Sequence, residues 1–504
     1  MGSCIQKISR YCTSIAAVKY EYVILIFIIA LGLYISWIPR QTGILPVHLD
    51  EWFHMACARH ILIQGDAVDL IDPFYGGQPW LFQFAERGFH LLLGVVQKIT
   101  GLDWLLIFRY MPSIIFTMTI LAAYIMGKRR GFGLESAFFV SLLPTTIGIL
   151  GPAFLVPVAT GLLFIPLSSF IIHNIDNWKG PIVLALFIFF LLTIHAYTAI
   201  AVAIVCFPYL LLNAKQNWKS SLRSGLALLL PFLISYPFAF QFANPVLDKI
   251  SDPHEISTYV DFPWLVDSLG YITLGLCLVG TFFIGIRSNR QNTGLLFGFF
   301  ILLALVVVYY QFHYGITGLY ERGLLYALLI ASIIAGMGLA DLRKIEINFS
   351  LLPNIPHRIV KYGQTVIIGV MVLLVVIIIV PQRQSTPYYK MIDESDYEVF
   401  CWIGENYGGQ KLKALLDPWK GTAFTAVTGL RVTSRIIMAP AEIDDMIYEF
   451  LDNECRNTKF LVDNDISLVY TRQSCTNPNL VKVHEGVYIF TDNLTPGIPS
   501  GFTP

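Results

Sequence analysis

Two adjacent carboxylates, Asp50 and Glu51, open the stretch HLDEWFHMACARHILIQG (residues 48–65), directly after the first long apolar run of a 504-residue chain. A carboxylate is a residue type that can serve general acid–base chemistry. If Asp50 begins a helix, residues 50, 51 and 54 lie within about 100° of one another. Asp50, Glu51 and His54 then share one face, with Ala58 a turn above, while Trp52, Arg59 and Ile63 point the other way. The plainer reading is that Asp50 caps the helix and Glu51 sits in its favourable first turn. Capping and catalysis are compatible, because a cap fixes the side chain in place. Position adds weight to chemistry: carboxylates beside apolar surface at a membrane boundary are costly to desolvate and tend to mark substrate paths. The same three side chains are also a mixed carboxylate and imidazole set of the kind that ligates metals. Such helical spacings recur by chance, so a divalent metal is not favoured and no metal ligand is assigned.

The elements that must carry these residues are membrane helices. Hydrophobic residues make up 55% of the chain and charged ones only 13%, with a mean hydropathy of +0.63, which is the composition of an integral membrane protein. Lysine plus arginine (34) equals aspartate plus glutamate (34), so neither a nucleic-acid partner nor an acidic tail is indicated. Eleven apolar stretches approach the length needed to cross a bilayer: 22–39, 104–127, 134–150, 153–173, 181–195, 199–212, 227–241, 265–286, 295–310, 322–339 and 365–380. The pairs around Gly151 and His195 read equally as one bent element or two spans. With the amino terminus inside, the basic residues (Lys7, Arg10, Lys19, Lys128 to Arg130, Lys179, Lys215, Lys219, Arg223, Arg287, Arg290, Arg343, Lys344, Arg358, Lys361) all fall on the cytoplasmic side. That orientation puts outside the first loop (40–103), the loop 248–261 and everything after Val380. The first span, lacking a small-residue cleavage site after it, is expected to be a retained signal anchor.

After residue 380 the composition becomes mixed and charged, over the size of one small globular domain. KLKALLDP and DISLVYT predict strands. EIDDMIYEFLDNE has helical spacing, with Ile443, Ile447, Phe450 and Leu451 on one face and acids on the other. The expected organisation is a transmembrane domain over 1–380 with a large first loop at 40–103, then an exterior α/β domain over 381–504. Cys455 and Cys475 would pair on an oxidising side, with Cys401 a third candidate; Cys4 and Cys12 are cytoplasmic thiols without a motif.

This layout resembles the GT-C superfamily of membrane glycosyltransferases, whose members include the protein O-mannosyltransferases, the aminoarabinose transferases acting on lipid A and the catalytic subunit of oligosaccharyltransferase. HLDEWFHMACARHILIQG is similar to their acidic-loop motif, and ERGFHLLLGVVQKITG resembles the loop helix that precedes their second span. The resemblance implies a multi-pass cell-membrane enzyme and a sugar carried on a polyprenyl phosphate or diphosphate. The acceptor would be a glycan, a lipid or a protein. Asp50, or second Glu51, is then the general base that activates the acceptor hydroxyl for an inverting attack on the anomeric carbon. Arg322 in YERGLLYALL would hold the leaving phosphate, although an arginine at a helix end is commonly a snorkelling residue.

Around it YYQFHYGITGLYERG supplies His313, Tyr314, Tyr320 and Glu321 as a second wall. His195 in TIHAYTA is a further substrate-facing candidate, as are Arg59, Arg87 and His90 of the first loop; a satisfied buried histidine and solvated surface are their plainer readings. Two departures bear on substrate. The loop GILGPAFLVP lacks the second acidic motif with which oligosaccharyltransferases hold a divalent metal, and LLDPWKGTAFTAVTG stands where their WWDYG signature falls. Transfer of an oligosaccharide to asparagine is therefore disfavoured. DPWKGTAF would suit sugar stacking, or be an ordinary turn. The alternative function is a transporter or flippase for a lipid-linked or anionic substrate; the nearly bare span centres favour the transferase.

Overall fold

The computed structural model describes residues 2–66, 70–76, 86–146, 148–174, 177–248, 263–287, 289–345, 357–388, 390–437 and 440–491, with side chains from residue 20 onward except 238–248, 264–265 and 357–362. Lys7, Arg10, Lys19, Arg358, Lys361, Cys4, Cys12 and the whole of the 248–261 loop thus lie outside the described side chains. In chain order the helices are α1 (Gly2–Trp37), α2 (Leu49–Gln64), α3 (Arg87–Thr100), α4 (Trp104–Lys128), α5 (Gly133–Val140), α6 (Pro157–Gly161), α7 (Phe164–Asn174), α8 (Lys179–Ile194), α9 (Ala196–Ala214) and α10 (Trp218–Asp248). They continue with α11 (Pro263–Leu269), α12 (Tyr271–Arg287), α13 (Arg290–Phe312), α14 (Thr317–Lys344), α15 (His357–Gln384), α16 (Glu394–Tyr407), α17 (Gly421–Thr428), α18 (Glu442–Asp452) and α19 (Thr458–Asp463). Five strands, β1 (Lys413–Leu415), β2 (Arg431–Val432), β3 (Leu468–Tyr470), β4 (Leu480–His484) and β5 (Val487–Phe490), form one sheet. The chain divides into two compact units, Met1–Ile44 with Leu106–Tyr388, and Leu45–Leu105 with Tyr389–Pro504.

The first unit is helical. Among the described residues seven helices are long and apolar enough to cross a membrane: Tyr20–Arg40, Trp104–Lys128, Pro157–Asn174, Ala196–Ala214, Arg290–Phe312, Thr317–Lys344 and Gly363–Gln384. Lys179–Ile194 and Tyr271–Arg287 are shorter apolar helices. One expected span fails. The 134–150 stretch is helical only through α5, because Pro144 and Gly151 fold the chain back on itself: a Cβ on Gly151 would stand 2.0 Å from the Pro144 carbonyl oxygen. Around His195 the ambiguity resolves into two helices, α8 and α9, separated by that one extended residue (φ −162°, ψ 94°).

α14 is the central helix, buried along nearly all of Tyr320–Asp341 and packed against α5, α12 and α13. Small residues let the backbones approach: a Cβ on Gly338 would lie 2.2 Å from Leu276 O, and one on Gly336 would lie 2.5 Å from the backbone of Ser136. At its far end Arg343 pairs with Glu135 at 2.7 Å, and Asp341 pairs with Arg287.

The second unit is α/β. Its sheet order is β2-β1-β3-β5-β4, with β1 parallel to β2 and β3, and β5 antiparallel to β3 and β4. KLKALLDP and DISLVYT supply β1 and β3, and EIDDMIYEFLDNE supplies α18, whose Ile447, Phe450 and Leu451 pack on Leu415, Phe460, Leu461 and Val469. Asp444 departs from the expected acidic face. It is buried, because its carboxylate accepts the Ala441 N–H at 2.7 Å and so closes the start of the helix. Cys455 and Cys475 are joined in a disulfide. The first loop contributes α2, which packs against α3 and α17, and residues 70–76, where the Val432 N–H donates to Phe74 O at 2.8 Å beside β2.

Candidate functional site

α2 begins differently from the sequence expectation. Its cap is His48, extended at φ −138°, ψ 147°, whose Nδ1 accepts the Asp50 N–H at 3.1 Å; Asp50 is not the cap. An imidazole nitrogen two residues upstream takes the place that a short carboxylate usually fills. Asp50 and Glu51 both lie in the first turn, where ionised acids are favoured by the exposed N–H groups, and they separate at once. Glu51 is fully buried, and its carboxylate accepts the Val47 N–H at 3.1 Å. Asp50 is half-buried. The helix closes at Gly65, in the left-handed region at φ 72°. The faces also differ from the expectation. Trp52, placed on the outward side by spacing, has no exposed surface, and Arg59 donates to the carbonyls of Ala426 and of Val427, the latter at 2.8 Å. α2 is covered on more than one side because α3 and α17 both pack on it.

One turn beyond Asp50, His54 faces His90 of α3. Their Nδ1 and Nε2 atoms are 3.0 Å apart and their rings 5.2 Å centre to centre, with 3% and 1% of their surfaces exposed. Glu86, the residue before α3, brings Oε2 within 4.0 Å of His54 Nδ1. Phe53 meets both imidazoles edge-on, and Phe89 meets His54 the same way. Burial, with the nearby Arg87 charge adding to it, pushes the His90 pKa down to about 3, so its imidazole is neutral at ordinary pH. Of this trio, Glu86 is not legible in the sequence, since one acid in a loop carries no signal until a partner helix is placed.

Next to the cluster, Phe53 stacks on Phe74, and the Arg435 guanidinium lies 3.9 Å from the Phe74 ring centre and 5.2 Å from that of Phe53. Burial lowers the Arg435 pKa while Tyr75 opposes it. In DPWKGTAF, Asp417 caps a short 3₁₀ turn and accepts the Tyr448 hydroxyl at 3.1 Å, Trp419 is 39% exposed, and Lys420 pairs with Asp396 at 2.8 Å.

The remaining candidates belong to the helical unit. Arg322 is half-buried in the second turn of α14, with Glu321 Oε2 4.0 Å from its Nη1. Tyr320 is buried and stacks on Tyr309 at 4.8 Å, and Tyr309 Oη is 2.6 Å from Thr317 Oγ1. His313 ends α13 in the left-handed region at φ 61°, its N–H donating to Tyr309 O at 2.8 Å. His195 is buried, with Nδ1 2.8 Å from Thr198 Oγ1 and 3.2 Å from the hydroxyl of Tyr326, one turn beyond Arg322. His195 therefore has the satisfied partners of its plainer reading.

No family model and no curated protein matches the chain. Its fold, however, is shared with solved membrane glycosyltransferases. The archaeal oligosaccharyltransferase AglB from Archaeoglobus fulgidus, in complex with an inhibitory peptide and a dolichol-phosphate, superposes with a TM-score of 0.61 at 12% identity over 89% of this chain and 69% of that one. ArnT from Cupriavidus metallidurans, bound to undecaprenyl phosphate, gives 0.55 at 11% identity over 94% of this chain and 98% of that one. The mycobacterial arabinofuranosyltransferase AftD gives 0.56 at 13% identity over 93% of this chain and 40% of its own. The class defined by the architecture is a multi-pass helical membrane protein with the GT-C fold and a small α/β unit.

Proposed function

We propose that this protein is a glycosyltransferase that moves a sugar from a polyprenyl-phosphate-linked donor to an acceptor hydroxyl at the outer face of the membrane, with inversion. The observation that carries the reading is the likeness to ArnT over nearly the whole of both chains, since that neighbour was solved with undecaprenyl phosphate; AglB was solved with dolichol-phosphate and a peptide. Asp50 is the general base. It lies in the first turn of α2 and is half-buried, whereas Glu51 is committed to Val47. The carboxylate takes the acceptor proton as the hydroxyl oxygen bonds to the anomeric carbon, and the carbon–oxygen bond to phosphate breaks with its electron pair going to the phosphate. Arg322 is assigned to that phosphate, which a guanidinium holds through paired hydrogen bonds. The Cys455–Cys475 bridge supports an oxidising location for the second unit.

The test is twofold. Purified protein in lipid nanodiscs, given short-chain polyprenyl-phosphate sugars and envelope extract, should consume donor, and Asp50→Asn should abolish consumption with the fold retained. A membrane-impermeant maleimide should label Ile63→Cys, which replaces a 73% exposed side chain, in intact cells. Labelling only after lysis would put the acids on the cytosolic side and end the proposal.

A further inference from the structure

Beyond the acidic pair, the structure gathers a second set of donor atoms. His54 Nδ1, His90 Nε2 and a Glu86 carboxylate oxygen lie within 4.8 Å of one another. The two histidines are 36 positions apart in sequence and meet only because α2 packs on α3. Tetrahedral zinc with nitrogen and oxygen ligands at about 2.0–2.1 Å wants donor atoms roughly 3.3 Å apart. The observed 3.0 Å between the imidazoles and 4.0 Å from His54 to Glu86 lie either side of that spacing, and all three donors fall within 4.8 Å of one another, so binding an ion requires side-chain rotations that draw them together. Two imidazoles and one carboxylate suit zinc and its first-row neighbours, and do not suit magnesium or calcium, which prefer oxygen.

We infer that His54, Glu86 and His90 form a binding site for a divalent first-row metal of the zinc type, with a remaining position for water on the Glu86 side. The histidines sit inside, and the Glu86 side chain is 28% exposed, so an ion enters past the carboxylate. Coordination needs each imidazole to carry its proton on the nitrogen away from the ion, His54 Nε2 and His90 Nδ1. His90 Nδ1 is buried without a hydrogen-bond partner among the described residues. Among the described residues that nitrogen meets no outer carboxylate or carbonyl of the kind that raises imidazole basicity. Arg87 places positive charge close by, against which Glu86 is the one acidic residue of the set. The set contains neither Asp50 nor a residue of the 148–157 loop, and is therefore distinct from the acidic-loop arrangement that the family resemblance implies. Its effect would be to clamp α2, the helix bearing Asp50, onto α3.

The experiment uses the full chain, purified in nanodiscs and stripped with a chelator, titrated with Co²⁺ as a spectroscopic probe and with Zn²⁺ as competitor. Wild type should develop the visible absorption of a low-symmetry nitrogen and oxygen site at one Co²⁺ per chain, abolished by Zn²⁺. Glu86→Gln and His90→Gln, which keep size and polarity, should each weaken binding by at least about tenfold, in line with ligand-shell changes in general. Asp50→Asn should bind as wild type does while losing transfer, which separates this site from the catalytic assignment. If the stripped wild type gains no cobalt absorption, or if the two glutamine variants titrate like wild type, the cluster is a hydrogen-bonded imidazole pair and the site does not exist.

Discussion

The carboxylate of Glu51 accepts the backbone N–H of Val47 at 3.1 Å, and with that contact the two neighbouring acids of α2 acquire different work. Glu51→Ala leaves a buried amide unpaired, a loss of about 1–3 kcal/mol, and should lower the melting temperature. Asp50→Asn removes no such contact and should leave melting unchanged while donor turnover disappears. Thermal unfolding of the two variants side by side, with donor consumption measured on the same preparations, checks the division of labour. Equal turnover in Asp50→Asn and wild type would remove Asp50 as the base.

Arg322 yields a kinetic prediction. If it holds the donor phosphate, Arg322→Lys keeps the charge but loses the paired geometry. One charge-assisted hydrogen bond is worth about 1.5–3 kcal/mol, so the apparent KM for donor should rise tenfold or more. A variant with unchanged KM would return Arg322 to the role of a helix-end residue.

Asp396 is the electrostatic centre of the α/β unit. It is 1% exposed, accepts from Lys420 at 2.8 Å and from the Tyr470 hydroxyl at 2.6 Å, and forms an ion pair with Arg472 at 2.8 Å. Asp396→Ala strands these donors, and because Arg472 remains half in water the expected cost is about 3 kcal/mol, the low end for breaking a buried pair. Limited proteolysis of the full chain should show faster cleavage after residue 388 and within 45–105, and little change over 106–388.

Neighbouring Asp393 carries a pH signature. Its hydrogen bond with Arg472 holds the carboxyl at about 2, below the usual 3.8. A depressed folded-state pKa stabilises above the unfolded value and loses that contribution as pH falls through the folded one. Wild type should therefore lose stability between pH about 4 and about 2 more steeply than Asp393→Asn, which keeps a good helix cap for α16 while dropping the charge. Parallel acid limbs in the two proteins would mean that solvent screens the pair completely.

The Cys455–Cys475 bridge spans 20 residues, and closing a loop of that order stabilises by about 3 kcal/mol. Reductant should lower the unfolding midpoint, and Cys455→Ala with Cys475→Ala should reproduce the shift and make the midpoint insensitive to reductant.

Elements whose pattern is local were legible in the sequence: the seven long apolar helices, β1, β3 and α18 follow from hydropathy and periodicity alone. The 134–150 segment was misread because hydropathy does not register that Gly151 backs onto the Pro144 carbonyl. His48 was missed as a cap because side-chain preference at that position points to short oxygen acceptors. The cluster was half visible. His54 and His90 stood out one by one, but their meeting depends on the packing of two helices, and the grip of Arg435 on Phe74 joins residues 361 positions apart, which no local pattern encodes.

The α/β unit is assembled from two separated pieces of chain, 45–105 and 389 onward, bonded through contacts such as Phe74 with Val432 and Arg59 with Ala426. During synthesis the earlier piece emerges first and waits while roughly 280 residues of membrane helix are made, about 15–60 s at ordinary elongation rates. Through that interval α2 has α3 but not α17 beside it, and Phe74 lacks Arg435 and Val432, so the surroundings of the helix bearing the acids are completed last even though it is translated early.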